Sequence, residues 1–131
     1  GGQRLVFAGL DDAYTGRDDL DATLARWGGD ATILLSHYPR FFPAAAARNV
    51  SLVLSGHTHG GQVGVPFLAH RFSVSSLIEQ YIHGVYRLGE TLLYVSAGLG
   101  TTGAPIRLGS SPEIPTFVLR SASAVARTSQ A

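Results

Sequence analysis

Val50-Ser-Leu-Val-Leu-Ser-Gly-His-Thr-His-Gly-Gly-Gln-Val63 joins an apolar run to two histidines set among glycines. Val50 to Ser55 has the length and apolar content of a buried strand, and Gly56 closes it. Gly56, Gly60 and Gly61 let the backbone turn tightly around His57 and His59. Working outward, Ala31-Thr-Ile-Leu-Leu-Ser36 has the same form and stops at His37-Tyr38-Pro39. Pro39 stiffens the loop behind His37. Arg4-Leu-Val-Phe-Ala-Gly9 reads as a further buried strand closed by glycine. Between these runs, Asp18 or Asp19 is placed to cap a helix carrying Leu20, Leu24 and Trp27 on one face, and Gly28-Gly29 ends it. Pro43 to Ala47 reads as a short helix with proline at its first position. Strands and helices alternating at this spacing predict parallel βαβ units with right-handed crossovers, hence an α/β fold.

Beyond Gly61 the texture changes. Gly84-Val-Tyr-Arg-Leu88 and Thr91-Leu-Leu-Tyr-Val-Ser96 flank Gly89-Glu90, the spacing of an antiparallel hairpin. Ala97 to Pro112 is a glycine-rich loop, and Pro115-Thr-Phe-Val-Leu-Arg120 reads as a last strand. Tyr81, Tyr86 and Tyr94 are expected to pack in the hairpin layer. Residues 1–120 are taken as one domain portion, and the small, polar residues 121–131 as a flexible tail.

Histidines closing two neighbouring strands carry the chemistry. In parallel sheets the carboxyl ends of the strands line the ligand crevice, so His37, His57 and His59 are expected to gather at one edge. Neutral imidazole is the commonest side-chain ligand of borderline metals. His70 and His83 lack such a setting and read as surface or hydrogen-bonded histidines. Asp11 and Asp12 follow the first strand and could add a substitute ligand, although a loop or capping role suits the pair better. Gly98-Leu-Gly-Thr-Thr-Gly103 is not followed by the Lys-Ser/Thr or the helix of a nucleotide loop, so it reads as a glycine loop beside the histidines. Arg107 is a weak candidate for phosphate contact.

Composition narrows the alternatives. Of 131 residues, 45% are apolar and 15% charged, which supports a packed core and excludes a disordered chain. A formal net charge of +1 gives no argument for nucleic acid. No apolar run is long enough to span a bilayer. Without cysteine there is no disulfide and no thiolate metal site. The opening Gly1-Gly2-Gln3, with no methionine, reads as the start of a fragment or processed product.

Leu54-Ser-Gly-His-Thr-His-Gly-Gly-Gln-Val63 resembles the Gly-His-x-His signature of calcineurin-like metallophosphoesterases, and Ser36-His37-Tyr38-Pro39 resembles that family's preceding single-histidine motif. Gly9-Leu-Asp-Asp12, Tyr94 to Arg107 and Pro112-Glu-Ile114 look like a bacterial branch of small, membrane-associated, phosphodiesterase-like members. The resemblance runs from Val6 to Leu119. It implies the C-terminal half of a β-sandwich flanked by helices, with βαβαβ units followed by an antiparallel hairpin. It also implies hydrolysis of a phosphomonoester or phosphodiester by metal-activated water at two divalent ions. The counterparts of His37 and His57 hold one ion and that of His59 the other, with a carboxylate bridging them. Zn, Mn, Fe and Ni all suit such donors.

The family's Asp-x-His, Gly-Asp and Gly-Asn-His-Asp motifs have no equivalent here, and with them go the bridging carboxylate and further ligands. The alternative reading is therefore a non-catalytic metal-binding module, or a truncated fragment lacking half of its site. An exposed sheet edge would invite a partner chain, either a second copy forming a homodimer or a separate N-terminal half. The compartment is open between the cytoplasm and the membrane surface of a bacterium.

Overall fold

The computed structural model describes residues 4–25, 30–63 and 79–120. Five strands form one sheet in the order β1-β2-β3-β5-β4. β1 (Leu5–Gly9), β2 (Ala31–Leu35), β3 (Leu52–Ser55) and β5 (Thr91–Val95) run parallel, while β4 (Gly84–Leu88) pairs antiparallel with β5. α1 (Leu20–Leu24) links β1 to β2, and α2 (Phe42–Ala46) links β2 to β3. This is the mixed α/β arrangement that the alternating runs predict.

The register explains where the core sits. Ala8 pairs with Leu34, Leu34 with Val53, Val53 with Leu93 and Leu93 with Tyr86, so these side chains form one row across one face. Because strand side chains alternate between faces, this row meets Leu20 and Leu24 of α1 and Phe42 and Ala45 of α2. Leu34, Val53 and Leu93 are completely buried. Burying each contributes about 1.5–3 kcal/mol before entropic costs. Asp19 caps α1 by accepting the Ala22 N–H. The proposed third member of that helix face, Trp27, lies outside the described residues, as do Gly28, Gly29, His70 and the tail.

The opposite face differs from expectation. β1 reads as buried, yet Leu5 is 44% and Phe7 62% exposed, and only Ala8 is buried. Among the described residues, β1 is an outer strand with helices packed on one side, and its alternate residues face the other. Leu35, Val85 and Leu92 are also exposed, and the register carries all five to the face opposite the helices.

The hairpin forms as its spacing predicts, with Leu88 and Thr91 closing the pair around Gly89-Glu90 and Gly89 at φ +58°. Tyr81 and Tyr86 pack edge to face at 5.0 Å against the core, whereas Tyr94 lies on the other face. α2 begins at Phe42, after a 3-10 turn over Pro39–Phe41, so Pro43 is its second residue and not its first. Residues 115–120 do not form the expected last strand. Phe117 instead stacks against Tyr94 at 5.3 Å, and with Pro115 it lines a cavity of about 490 Å³ alongside Leu35, Leu54 and His37. Pro115 and Phe117 lie against the sheet face opposite the helices, while Val118 and Leu119 stay exposed.

Candidate metal centre

β2 and β3 are adjacent and parallel, so their carboxyl ends deliver the residues that follow them to one place. His37 follows β2 and His57 follows β3. The Gly56 N–H donates to the His37 carbonyl at 3.3 Å, tying the two strand ends together. The result is a close approach of two imidazoles: Nδ1 of His57 lies 3.2 Å from Nε2 of His37.

The turn that follows is strained. His57 has φ +70° and His59 φ +52°, a left-handed region that costs a non-glycine residue about 1–2 kcal/mol. Local hydrogen bonds hold it: Thr58 donates its N–H to Gly56 and its hydroxyl to the Ile82 carbonyl, and Gly61 N–H donates to Thr58. Gly60 is required on two counts. Its φ is +63°, and a Cβ there would meet Ser110 Oγ at 2.5 Å and Ala97 Cβ at 2.8 Å.

Tyr38 is buried against His57 with ring centroids 4.2 Å apart, and the Arg40 guanidinium lies over the tyrosine ring. Burial lowers the pKa of His57, and the neighbouring His37, Arg40 and His59 reinforce this, with Asp12 opposing it. The neutral ring that a metal requires is thereby favoured. On its other side, Nε2 of His57 lies 3.8 Å from Oε1 of Glu79, whose side chain is almost buried. Glu79 has no sequence motif to reveal it. A carboxylate beside the outward nitrogen of a ligating histidine is a common orienting partner.

His59 is held separately. Its Nδ1 lies 2.9 Å from the Gly100 carbonyl, and its Nε2 lies 2.9 Å from the Thr102 hydroxyl. Gln62 brackets Thr102, accepting its N–H at 2.7 Å and donating to its carbonyl at 2.9 Å. The glycine loop thus borders the histidines, as expected.

The secondary candidates are engaged elsewhere. Asp12 accepts the Tyr14 N–H and caps a 3-10 turn, while Asp11 accepts the Asp12 N–H and pairs with Arg17 at 3.2 Å. Arg107, the candidate for phosphate contact, is half-buried. It turns inward and donates to the carbonyls of Ala97, Gly98 and Gly100, which come within 2.6–3.0 Å of its Nη2. The cation supplements the donors these carbonyls already have, the Glu113 N–H on Gly98 and the His59 ring on Gly100. His83 pairs with Glu113 at 3.2 Å. Among the described residues, no group of three or more His, Cys, Asp or Glu side chains closes into a complete metal cage. The His37–His57 pair fits one borderline divalent ion as part of its donor set. The carboxylates of Asp11 and Asp12 are engaged with their own loop and with Arg17.

Comparison with known proteins gives a consistent set of relatives. The chain is 39% identical over 121 residues to the uncharacterized metallophosphoesterase YkuE of Bacillus subtilis, covering 92% of this chain and 42% of that protein. It is 37% identical over 129 residues to a bovine transmembrane protein with metallophosphoesterase domain, covering 90% and 28%. It is 46% identical over 85 residues to the uncharacterized metallophosphoesterase Cj0846 of Campylobacter jejuni, covering 64% and 21%. The chain therefore spans less than half the length of these relatives. No family model and no solved structure matches it. None of the described helices is long and apolar enough to cross a membrane.

Proposed function

This chain belongs to the calcineurin-like metallophosphoesterase family, and from that premise we propose that it supplies the histidine side of a site that hydrolyses phosphoric esters. One observation carries the reading: two imidazole nitrogens face each other at 3.2 Å where adjacent parallel strands end. Two imidazole nitrogens this close would come within reach of one Zn, Mn, Fe or Ni ion if the contact between them gave way to it. A divalent ion bound there would act as a Lewis acid on a phosphoryl oxygen and make water a nucleophile near neutral pH.

The chain's own residues prepare the site. Tyr38 and Arg40 shield one side of His57 and keep its ring neutral. Glu79 stands beside the outward nitrogen of His57. His59, one turn further on, supplies the third imidazole. A phosphomonoester or phosphodiester would enter at the strand ends, where the cavity lined by Gly9, Ser36, His37 and Gly56 opens.

A second reading is a metal-holding portion without turnover of its own. It is favoured by the engagement of Asp11 and Asp12, which leaves the histidines without a carboxylate from that loop. Turnover of a chromogenic phosphodiester with added Mn²⁺ or Zn²⁺ separates the two. Hydrolysis that is abolished by His57→Ala supports the enzyme reading, and metal binding without hydrolysis supports the second.

A further inference from the structure

Arg107 is half-buried among backbone oxygens, and its arrangement reaches His59. Its Nη2 lies 2.6 Å from the Ala97 carbonyl, 3.0 Å from Gly98 and 2.7 Å from Gly100. Its Nη1 lies 3.4 Å from the His59 carbonyl, 3.3 Å from Ser110 Oγ and 3.4 Å from the Ser111 carbonyl. Its Nε is buried with no partner among the described residues. Ser110 Oγ donates in turn to the His59 carbonyl at 2.8 Å. One cation thus draws together carbonyls that would otherwise repel one another, in a loop with no strand or helix to order it.

The Gly100 carbonyl is the important one, because it is shared. It accepts from Arg107 and also lies 2.9 Å from His59 Nδ1. A carbonyl can only accept, so the His59 ring must carry its proton on Nδ1. Nε2 then carries the ring's one electron pair, which accepts from the Thr102 hydroxyl at 2.9 Å.

We infer that Arg107 is a positioning residue: it holds the Gly100 carbonyl where it fixes His59 in the Nδ1–H tautomer, leaving Nε2 as the acceptor, which the Thr102 hydroxyl fills here and a metal could reach only once that hydroxyl turns away. This rests on the reading of His59 as a ligand, but the ring's tautomer exists with or without a metal. Arg107, read from the sequence as a weak candidate for phosphate contact, becomes in this role a support of the site through the backbone. Lysine cannot replace it, since a single ammonium does not span carbonyls on both sides of a planar fork.

The test is the ¹⁵N signature of the His59 ring in the metal-free protein. In the wild type it should show a single Nδ1–H tautomer, and a ring protonated on Nε2 overturns the inference. In Arg107→Lys and Arg107→Gln, judged folded by unchanged amide dispersion in the β-strands, the ring should become a tautomer mixture while His37 keeps its signals. Affinity for Zn²⁺ should fall about tenfold or more, the usual consequence of losing a ligand's orienting partner. A folded variant with an unchanged His59 ring means Arg107 acts on stability alone and overturns the proposal. Failure of both variants to fold does so too, since it makes Arg107 a requirement of the fold. If the wild type shows the tautomer but binds no Zn²⁺, the metal-site reading fails while the positioning stands.

Discussion

His57 turns Nδ1 toward Nε2 of His37 across 3.2 Å, and it does so from a left-handed backbone conformation. The position thus combines a backbone conformation that favours glycine with a ring that faces its neighbour. Replacing His57 by glycine should therefore remove the metal-facing nitrogen while relieving a backbone cost of about 1 kcal/mol. The expected outcome is loss of metal binding with unchanged or slightly raised thermal stability. Calorimetry of His57→Gly checks it, and a marked destabilisation would show that the ring itself supports the fold.

The lowered pKa of His57 sets a pH dependence. Burial comes first among its causes, followed by the cationic tendency of His37, Arg40 and His59. The folded chain therefore holds this ring neutral below the ordinary imidazole range, where the unfolded chain takes up a proton. Folding stability from this group is unaffected above that range and declines as pH falls through it. Metal binding, which needs the neutral ring, should survive to lower pH than for an exposed histidine. Zn²⁺ titrations across mildly acidic pH measure this directly.

Glu113 titrates in the other direction. Burial raises its pKa, but the Ala97 N–H, His83 and the Tyr94 hydroxyl together pull it below the ordinary glutamate value. Its contribution is present above that value and lost as pH falls through the lowered folded pKa. Glu113→Gln should flatten the acid limb of a melting-temperature profile, with little change at neutral pH beyond the lost hydrogen bonds.

The two faces of the sheet should answer differently to truncation. Leu34→Ala empties a completely buried position and should cost about 2–5 kcal/mol. Phe7→Ala removes a ring that is 62% exposed and should cost well under half as much, about 1 kcal/mol or less. Urea unfolding of the two variants gives both numbers. A large cost at Phe7 would mean that its face is covered.

Gly60→Ala places a methyl group against Ala97 and Ser110 and keeps φ at +63°. The loop that carries Gly100 must then move away from His59. Stability should fall by more than the left-handed cost alone, about 1–2 kcal/mol, and Zn²⁺ affinity should fall with it. Parallel melting and binding curves check both effects.

Much of this arrangement is legible in the sequence because it depends on local rules. Apolar runs ending in Ser36-His37 and Ser55-Gly56-His57 give the parallel strands and place both histidines at one edge. Gly89-Glu90 gives the hairpin. What escapes is set by tertiary surroundings. Nothing in Leu5-Val-Phe7 says that one face of β1 is left exposed by the described residues, and residues 115–120 have strand-like composition but place Phe117 against Tyr94. Arg107 reads as a free cation because the carbonyl cluster around it exists only once the glycine loop has folded, and Glu79 depends on chain geometry that no motif records.

The most direct measurement is elemental analysis of the purified protein beside His37→Ala and His57→Ala variants, with circular dichroism to confirm the fold of each. The account predicts a bound divalent ion in the wild type and its loss from both variants with the α/β signal intact. A wild type without metal after exposure to Zn²⁺ and Mn²⁺, or a His57→Ala variant that retains its ion, would contradict it.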